Sequence, residues 1–575
     1  MENHLKKSYS FLLIGFGLIN IISFTLVLMA MSFSTGLTLS FWHFPLAVTL
    51  SLLANFLTAR FFLKDQGITV FRNTGLAVLI ITVISIFIAV SFYDISSDGQ
   101  MYHLEATYQF KTGWNPFRTQ LPYDFSQALW LNHYGKGTEA PQAAIYAVTN
   151  KIESGKATNF MLLVASFFMM LAFLYRLNRF SLKKKLFISA LFSLNPVVVY
   201  QLISTYVDGQ LASLLLCLLL ICCFLFIDTN RAYLFLLASM LVIMVNIKFT
   251  AIVFAGVFLF AFLAILLLNK KKIEARRVFF TCATAVILGI GFVGYYPYVT
   301  NTIDHHDPIY PGLDILQLEA SKQYPKSFQS KSRFGRFFTS LFTHTDNMKL
   351  YLDSNPPVPL KLPFTFNKTD IKNACKPYVV IMAGMGPFFS GAVILALIFY
   401  IVLAIDLRDR RLFRNITLLL LTMLFSVFII SEAWWARYVP QLWLIPVTVA
   451  FLTEFVDIKW VNRLRFFFYV VVAINILLSF GCFPFNFYKT TQINYELAQL
   501  KASHQVIPVE WTYQASNRIR FYENNIPFKE QHLEGDSVLY MVSSSSKFIP
   551  PKNMPDVPKP FLLKWGQELE KKFKK

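Results

Sequence analysis

Residues 93–104 read YDISSDGQMYHL and follow the apolar run LAVLIITVISIFIAVSF. Two carboxylates, Asp94 and Asp98, and one imidazole, His103, thus stand beside a segment of membrane-spanning character. Either carboxylate taken alone reads equally well as the polar end of a helix. Their company points further. Tyr102, His103 and Glu105 follow inside a helix expected to run to Phe110, and Asp98 and Tyr102, four apart, share one face of it. A carboxylate held on a rigid helix start at a membrane surface can take the proton of an acceptor hydroxyl while that hydroxyl attacks an activated sugar.

Residues suited to a phosphate recur further along. Arg437, in WWARYVP, offers a bidentate contact. Its neighbours Trp434, Trp435 and Tyr438 fit an interfacial aromatic belt, in which Arg437 would equally serve as a headgroup anchor. Asp208, in TYVDGQ, sits at a helix start, where the positive dipole end favours a carboxylate and capping alone accounts for it. Lys248, in NIKFT, lies in a very short connection between two apolar runs. A lysine so near hydrocarbon is costly unless paired, so it pairs Asp208, binds phosphate or snorkels outward. Asp304, His305, His306 and Asp307 form the densest ligand-like group, but adjacent histidines do not readily turn to one ion and no zinc spacing is present. That segment is expected to be a loop beside the site. The stretch KSRFGRFF at 331–338 suits an anionic acceptor, lipid headgroups or plain solvent.

The elements that must position these residues are apolar helices. The chain of 575 residues is 55% hydrophobic and 17% aromatic, and its mean hydropathy is +0.50, rarely seen in a soluble protein of this length. Its formal charge is +21 with only 15% charged residues, so the basic excess sits in the few segments that meet water. Basic residues flank apolar runs instead of forming one domain, which argues against nucleic acid and for membrane loops, anionic lipid or phosphate ligands. The six cysteines show neither zinc spacing nor a disulfide framework. No Gly-rich nucleotide loop is present, since GFGLIN lies inside the first apolar run and GMGPFFSG opens a later one.

A bilayer core of about 30 Å needs roughly 20 helical residues. About thirteen spans are expected on that criterion, near 10–33, 41–63, 74–93, 157–175, 185–203, 209–228, 231–247, 249–268, 278–298, 378–404, 413–431, 438–455 and 464–482. The first has the basic-then-apolar pattern of a signal peptide without a clear cleavage site and is read as a retained helix. Basic segments such as HLKK, YRLNRFSLKKK, NKKKIEARR and DLRDRRLFR fall at every second loop, which places the N-terminus in the cytoplasm and the C-terminus outside. The fold class is therefore an α-helical polytopic membrane protein. Its expected parts are N-terminal transmembrane helices (1–93), a first outer loop (94–156), transmembrane helices (157–298), a second outer loop (299–377), C-terminal transmembrane helices (378–482) and a small outer α/β domain (483–575), whose amphipathic end suits a membrane surface.

Several motifs, in order, resemble those of bacterial polyprenyl-phosphate-dependent glycosyltransferases of the GT-C superfamily, relatives of protein O-mannosyltransferases and aminoarabinose transferases. DGQMYHL resembles their Asp-x-x-x-Tyr-His-Leu; NHYGKGTEAPQA resembles a Tyr-x-Lys-Gly-x-Glu segment; STYVDGQLA resembles a Tyr-x-Asp span start. DHHDPIYPG resembles an Asn-Pro-x-Tyr-Pro element with Asp307 in the Asn position, and WWARYVPQLWLIP resembles an Ala-Arg-Tyr-x-x-Pro span start. Two features depart from the pattern. Two extra spans precede the first outer loop, and the C-terminal piece matches no domain of the family.

The resemblance implies an inverting enzyme on the outer face of a bacterial plasma membrane. It moves a sugar from a polyprenyl phosphate to an envelope glycan, lipid or protein acceptor. It also implies roles. Asp98 is the general base. Asp94 orients the acceptor or, with Asp98, offers oxygen ligands suited to Mg²⁺ or Mn²⁺. His103 binds phosphate or hydrogen-bonds Asp98. Tyr102, Lys136, Glu139, Asp208, Lys248, Tyr310, Arg437 and Tyr438 bind substrate, the glycines beside Lys136 permitting a tight turn near a ligand. Two other classes stay open: a polymerase or ligase that moves whole glycans from a lipid diphosphate, and a lipid or sugar transporter, for which buried mid-span charges and pseudo-symmetric halves would be expected.

Overall fold

The computed structural model describes residues 2–123, 127–312, 324–347, 358–376 and 379–573. Parts of both expected outer loops (124–126, 313–323, 348–357 and 377–378) and the final two residues of the amphipathic end lie outside the described residues.

The protein is a bundle of long apolar helices with a small mixed sheet. Among the described residues, nine stretches are long and apolar enough to cross a membrane, and the shorter apolar helices Arg231–Ile247 and Pro440–Phe455 accompany them. Glu2–Ser34 is the central helix. It packs against His43–Leu63, Gly67–Val90, Ala157–Leu177 and Arg231–Ile247, and 78% of its apolar window is buried. For Lys272–Val293 the share is 17%, so that helix offers most of its surface to lipid. Hydrophobic on all sides, these helices meet the condition for a bilayer-spanning element, in which every backbone group is paired within the helix.

Several expected spans differ in detail. His43–Val90 holds two helices that pack on each other, joined through Lys64–Gln66, where Lys64 takes a φ of 46°. The run expected at 185–203 breaks at Asn195, whose side chain accepts from the Val197 amide with Pro196 in the first turn. This leaves Leu182–Ser193 and Pro196–Gln201. The run expected at 378–404 begins at Phe389, because the backbone before it turns through Val380, Ala383 and Gly386 at positive φ. The last expected span, Lys459–Ser479, is followed at once by Cys482–Ala502, which carries the chain to the C-terminal unit.

That unit is the expected α/β element. Its strands β1 (Ile507–Glu510), β2 (Phe528–Glu530), β3 (Leu539–Tyr540) and β4 (Lys547–Phe548) lie in the order β2-β1-β4-β3. β1 pairs parallel with β2, Ile507 opposite Phe528, and antiparallel with β4, Val509 opposite Phe548. The parallel pair needs a crossover, and the helix Asn517–Asn524 supplies it. The core of this unit contains Ile507, Val509, Trp511, Phe521 and Phe548, closed by Ile493, Leu497 and Leu500 of the helix Cys482–Ala502. It also contains Ile95 and Tyr206, so the C-terminal unit and the loop carrying Asp98 share one core. The terminal helix Phe561–Phe573 packs on Cys482–Ala502, with Phe561 and Trp565 exposed.

Candidate functional site

Asp94, Asp98, His103, Glu139, Asp208, Lys248 and Arg437 lie at one end of the bundle, brought there by the end of Gly67–Val90 and the starts of Asp208–Ile227 and Phe249–Leu268. Asp98 immediately precedes a π-turn, Gly99–His103, which leads into the helix Leu104–Lys111. Its carboxylate, 26% exposed, accepts from Arg437 Nη1 at 3.2 Å. Arg437 Nη1 also stands 3.9 Å from Asp208 Oδ2, and Asp208 Oδ1 accepts from Lys248 Nζ at 2.8 Å. Four charges of alternating sign therefore form one chain, Asp98–Arg437–Asp208–Lys248. Its two inner members are buried, and Asp98 and Lys248, with side chains 26% and 27% exposed, are its open ends.

The local fold explains why buried charge is tolerated here. Removing water from a charge is costly unless an opposite charge and hydrogen bonds replace it. Asp208 opens its helix, where the exposed amides favour an anion. Arg437 lies in a tight turn whose backbone is tied down by the Ala436 and Arg437 amides donating to Ile381 and Val380. Its guanidinium lies 4.7 Å from the Tyr206 ring centre and 5.0 Å from that of Tyr438, and the Lys248 ammonium sits 4.4 Å from the Tyr438 ring centre. Tyr438 thus joins both cations, and Arg437 Nε has no partner among the described residues. Lys248, in extended backbone between two helices, pairs with Asp208, one of the outcomes its sequence position allows.

Asp94 is held on all sides by the protein itself. It is fully buried; Oδ1 accepts from the Ser96 amide at 2.8 Å, and Oδ2 from the Thr205 amide and hydroxyl at 2.7 and 2.6 Å. Both oxygens accept hydrogen bonds from the protein, so Asp94 positions the loop. Gly99 belongs to this packing, because a Cβ there would lie 2.2 Å from Asp94 Oδ2. Among the described residues no group of three or more His, Cys, Asp or Glu side chains is arranged to hold a metal ion. All six cysteines are free.

His103 is buried and shares a 2.6 Å hydrogen bond with Glu139 through Nδ1, not with Asp98. Lys136 donates to the Tyr134 carbonyl at 2.7 Å, and burial pushes its ammonium down to about 8 against the opposing charge of Glu139. Burial raises the Glu139 carboxyl, but the His103 bond and charge and the Lys136 charge outweigh it and hold the group below its usual range. The glycines on either side of Lys136 make room for protein and not for a ligand: a Cβ on Gly135 or Gly137 would come within 2.4 or 2.5 Å of the Asn246 backbone. Tyr102 lies beside the His103 ring and edge-on to Tyr134, and its hydroxyl titrates well above the usual tyrosine range through burial and the Asp98 charge.

Tyr310 joins a neighbouring aromatic group. It stacks on His305 at 3.7 Å and meets His133 edge-on. Asp304 accepts from Gln120, which ties this loop to the 94–156 segment, and Asp307 accepts from the Ile309 amide within the loop. In the basic stretch, Arg333 donates to the Ile430 carbonyl, and Phe334 and Phe337 pack on Phe428.

The most extensive support for the Asp98 loop comes from residues that motif reading misses. Arg518 makes a two-pronged contact to Glu105 at 2.6 and 2.7 Å, and Arg520 Nη2 donates to the Asp94 carbonyl at 2.6 Å. Asn517 donates to Gln100 Oε1 and Gln100 donates to the Ser543 carbonyl. On the other flank, Lys156 bonds Glu153 at 2.5 Å and the Phe92 carbonyl, and the Asp94 amide donates to Glu153. The Glu153/Lys156 spacing of three was a readable signal, whereas Arg518 and Arg520 sit in a polar tail with nothing to tie them to residues 94–105. A comparison with protein-family models finds no match, and a comparison with curated proteins finds none either.

Proposed function

We propose that the protein is an inverting glycosyltransferase that moves a sugar from a polyprenyl phosphate to an acceptor hydroxyl at the outer face of a bacterial plasma membrane. The observation that carries this reading is the chain Asp98–Arg437–Asp208–Lys248, with an accessible carboxylate at one end and an accessible ammonium at the other. Such an arrangement suits a displacement in which a proton is removed on one side of the reacting carbon and negative charge grows on the other.

In this reading the donor phosphate is drawn to Lys248 and Arg437. Competition for Arg437 leaves an Asp98 oxygen free to accept the acceptor hydroxyl. Asp98 takes its proton, the hydroxyl oxygen bonds to the anomeric carbon, and the bond from that carbon to the phosphate oxygen breaks with inversion. The electron pair leaves on the phosphate, where the two cations offset it. Asp208 holds both cations in place. Tyr102 stands within reach of the Asp98 charge, and the His103–Glu139 bond holds the turn that follows Asp98. Membrane orientation in this reading has the N-terminus in the cytoplasm and about thirteen crossings, with His43–Val90 taken as two spans and Arg231–Ile247, Leu182–Gln201 and Pro440–Phe455 added as one each.

The test is transfer from a panel of radiolabelled polyprenyl-phosphate sugars by the purified protein in liposomes. Release of polyprenyl phosphate with one donor is expected. No release with any of them, while lipid-diphosphate oligosaccharides are turned over, would replace this reading with that of a glycan polymerase or ligase.

A further inference from the structure

At the end of the bundle away from Asp98, the helices enclose a cavity of about 320 Å³. It is lined by the distal halves of Ala157–Leu177, Asp208–Ile227 and Phe249–Leu268 and by the first half of Arg410–Phe428. At 1.5 Å per residue, Ile227 on its wall lies roughly 28 Å along the helix from Asp208, so the cavity and the charge chain occupy opposite ends of the bundle. Its walls, among them Phe226, Phe262, Leu419 and Phe451, are almost wholly apolar. The exceptions are Asn415 and Thr448, whose buried hydroxyl has no partner among the described residues. The volume is about twice the ~150 Å³ of an engineered apolar cavity that holds benzene, enough for a length of hydrocarbon chain.

The rim carries Asp409, which caps one lining helix, and Asp228, which ends another, but its exposed cations are more numerous. Arg410, Arg411 and Arg414 open one lining helix, all exposed, and Arg414 Nη2 stands 3.5 Å from Asn415 Oδ1. Across the opening, Lys271 donates to the carbonyl of Phe226, a wall residue, at 2.7 Å and lies over its ring. The ion pairs of this end, Lys184–Glu454 and Arg465–Glu454, leave Arg411, Arg414 and Lys271 without a carboxylate partner among the described residues. An apolar slot with unpaired cations at its mouth is complementary to one molecule in particular: a lipid with a hydrocarbon tail and a negative headgroup.

We infer that this cavity binds an acyl chain of an anionic phospholipid, with the headgroup phosphate on Arg411, Arg414 and Lys271. The inference does not rest on the proposed transfer reaction.

The experiment reads the thermal unfolding of the full chain in detergent with added dioleoylphosphatidylglycerol, dioleoylphosphatidylcholine or polyprenyl phosphate. The anionic phospholipid is expected to raise the unfolding temperature, because a ligand of the folded state alone stabilises it, and phosphatidylcholine is not. The double variant Arg411→Gln/Arg414→Gln, altered only at exposed positions, should lose half or more of the shift, and Ala261→Phe, which fills the cavity, should lose it too. Equal shifts with both phospholipids, a shift with polyprenyl phosphate alone, or a full shift in either variant would overturn the assignment.

Discussion

At the scale of single residues, the site is set by which charges have partners. Asp94 and Asp98 are four residues apart in one motif, yet one is enclosed by Thr205 and Ser96 while the other meets a buried guanidinium beside an opening. Ser96 lies within YDISSDGQMYHL, but the partners that separate those fates, Thr205 and Arg437, come from far along the chain. Lys136 makes a testable case of its own. Its folded form loses its proton at about 8, whereas an unfolded lysine holds it to about 10.4. Between those values the unfolded chain binds more protons, so stability rises with pH through that window. Lys136→Met should flatten the rise, read as the apparent unfolding temperature between pH 7.5 and 10. An unchanged slope would place the titration elsewhere.

At the scale of elements, the helix Asn517–Asn524 of the C-terminal unit holds the loop that carries Asp98. Arg520→Ala would remove a donor from the buried Asp94 carbonyl, a loss of roughly 1–3 kcal/mol locally, and let the loop drift. Turnover should fall by about 10²-fold with little change in KM, since small misplacements of a reacting group have effects of that size. Arg520→Lys should recover part of it, and cleavage by added protease after Ala502 should speed up in the alanine variant. Equal turnover in Arg520→Ala and wild type would mean that the C-terminal unit does not position the loop.

The same contrast governs what was legible beforehand. Helices such as Phe249–Leu268 are plain in the sequence because a lipid-facing helix is apolar all round. The break at Asn195–Pro196 was carried by cap chemistry that a hydropathy window averages away. The small C-terminal sheet showed in short β-rich runs, but the contact of Arg518 with Glu105 joins positions 413 residues apart and leaves no local trace.

At the scale of the whole molecule, the charge chain and the cationic cavity rim occupy opposite ends of an apolar bundle. Basic segments alternate along the chain, and anionic lipid on one side of a membrane would favour one orientation. With the native cysteines replaced, a single cysteine at Lys270 should react with an impermeant thiol reagent only after cells are opened. One at Tyr123 should react in intact cells. The reverse pattern would invert the topology and put the proposed chemistry in the cytoplasm.

The role proposed for Asp98 is to take the proton in a sugar transfer. It is tested most directly by measuring polyprenyl phosphate release from a turned-over donor, with wild type, Asp98→Asn and Asp94→Asn compared in proteoliposomes. Circular dichroism and unfolding temperature would establish that each variant is folded. The account predicts that folded Asp98→Asn loses activity by about 10²- to 10⁴-fold, the range for removing a general base. Asp94→Asn should lose unfolding temperature and activity together. Wild-type turnover by folded Asp98→Asn would contradict the account.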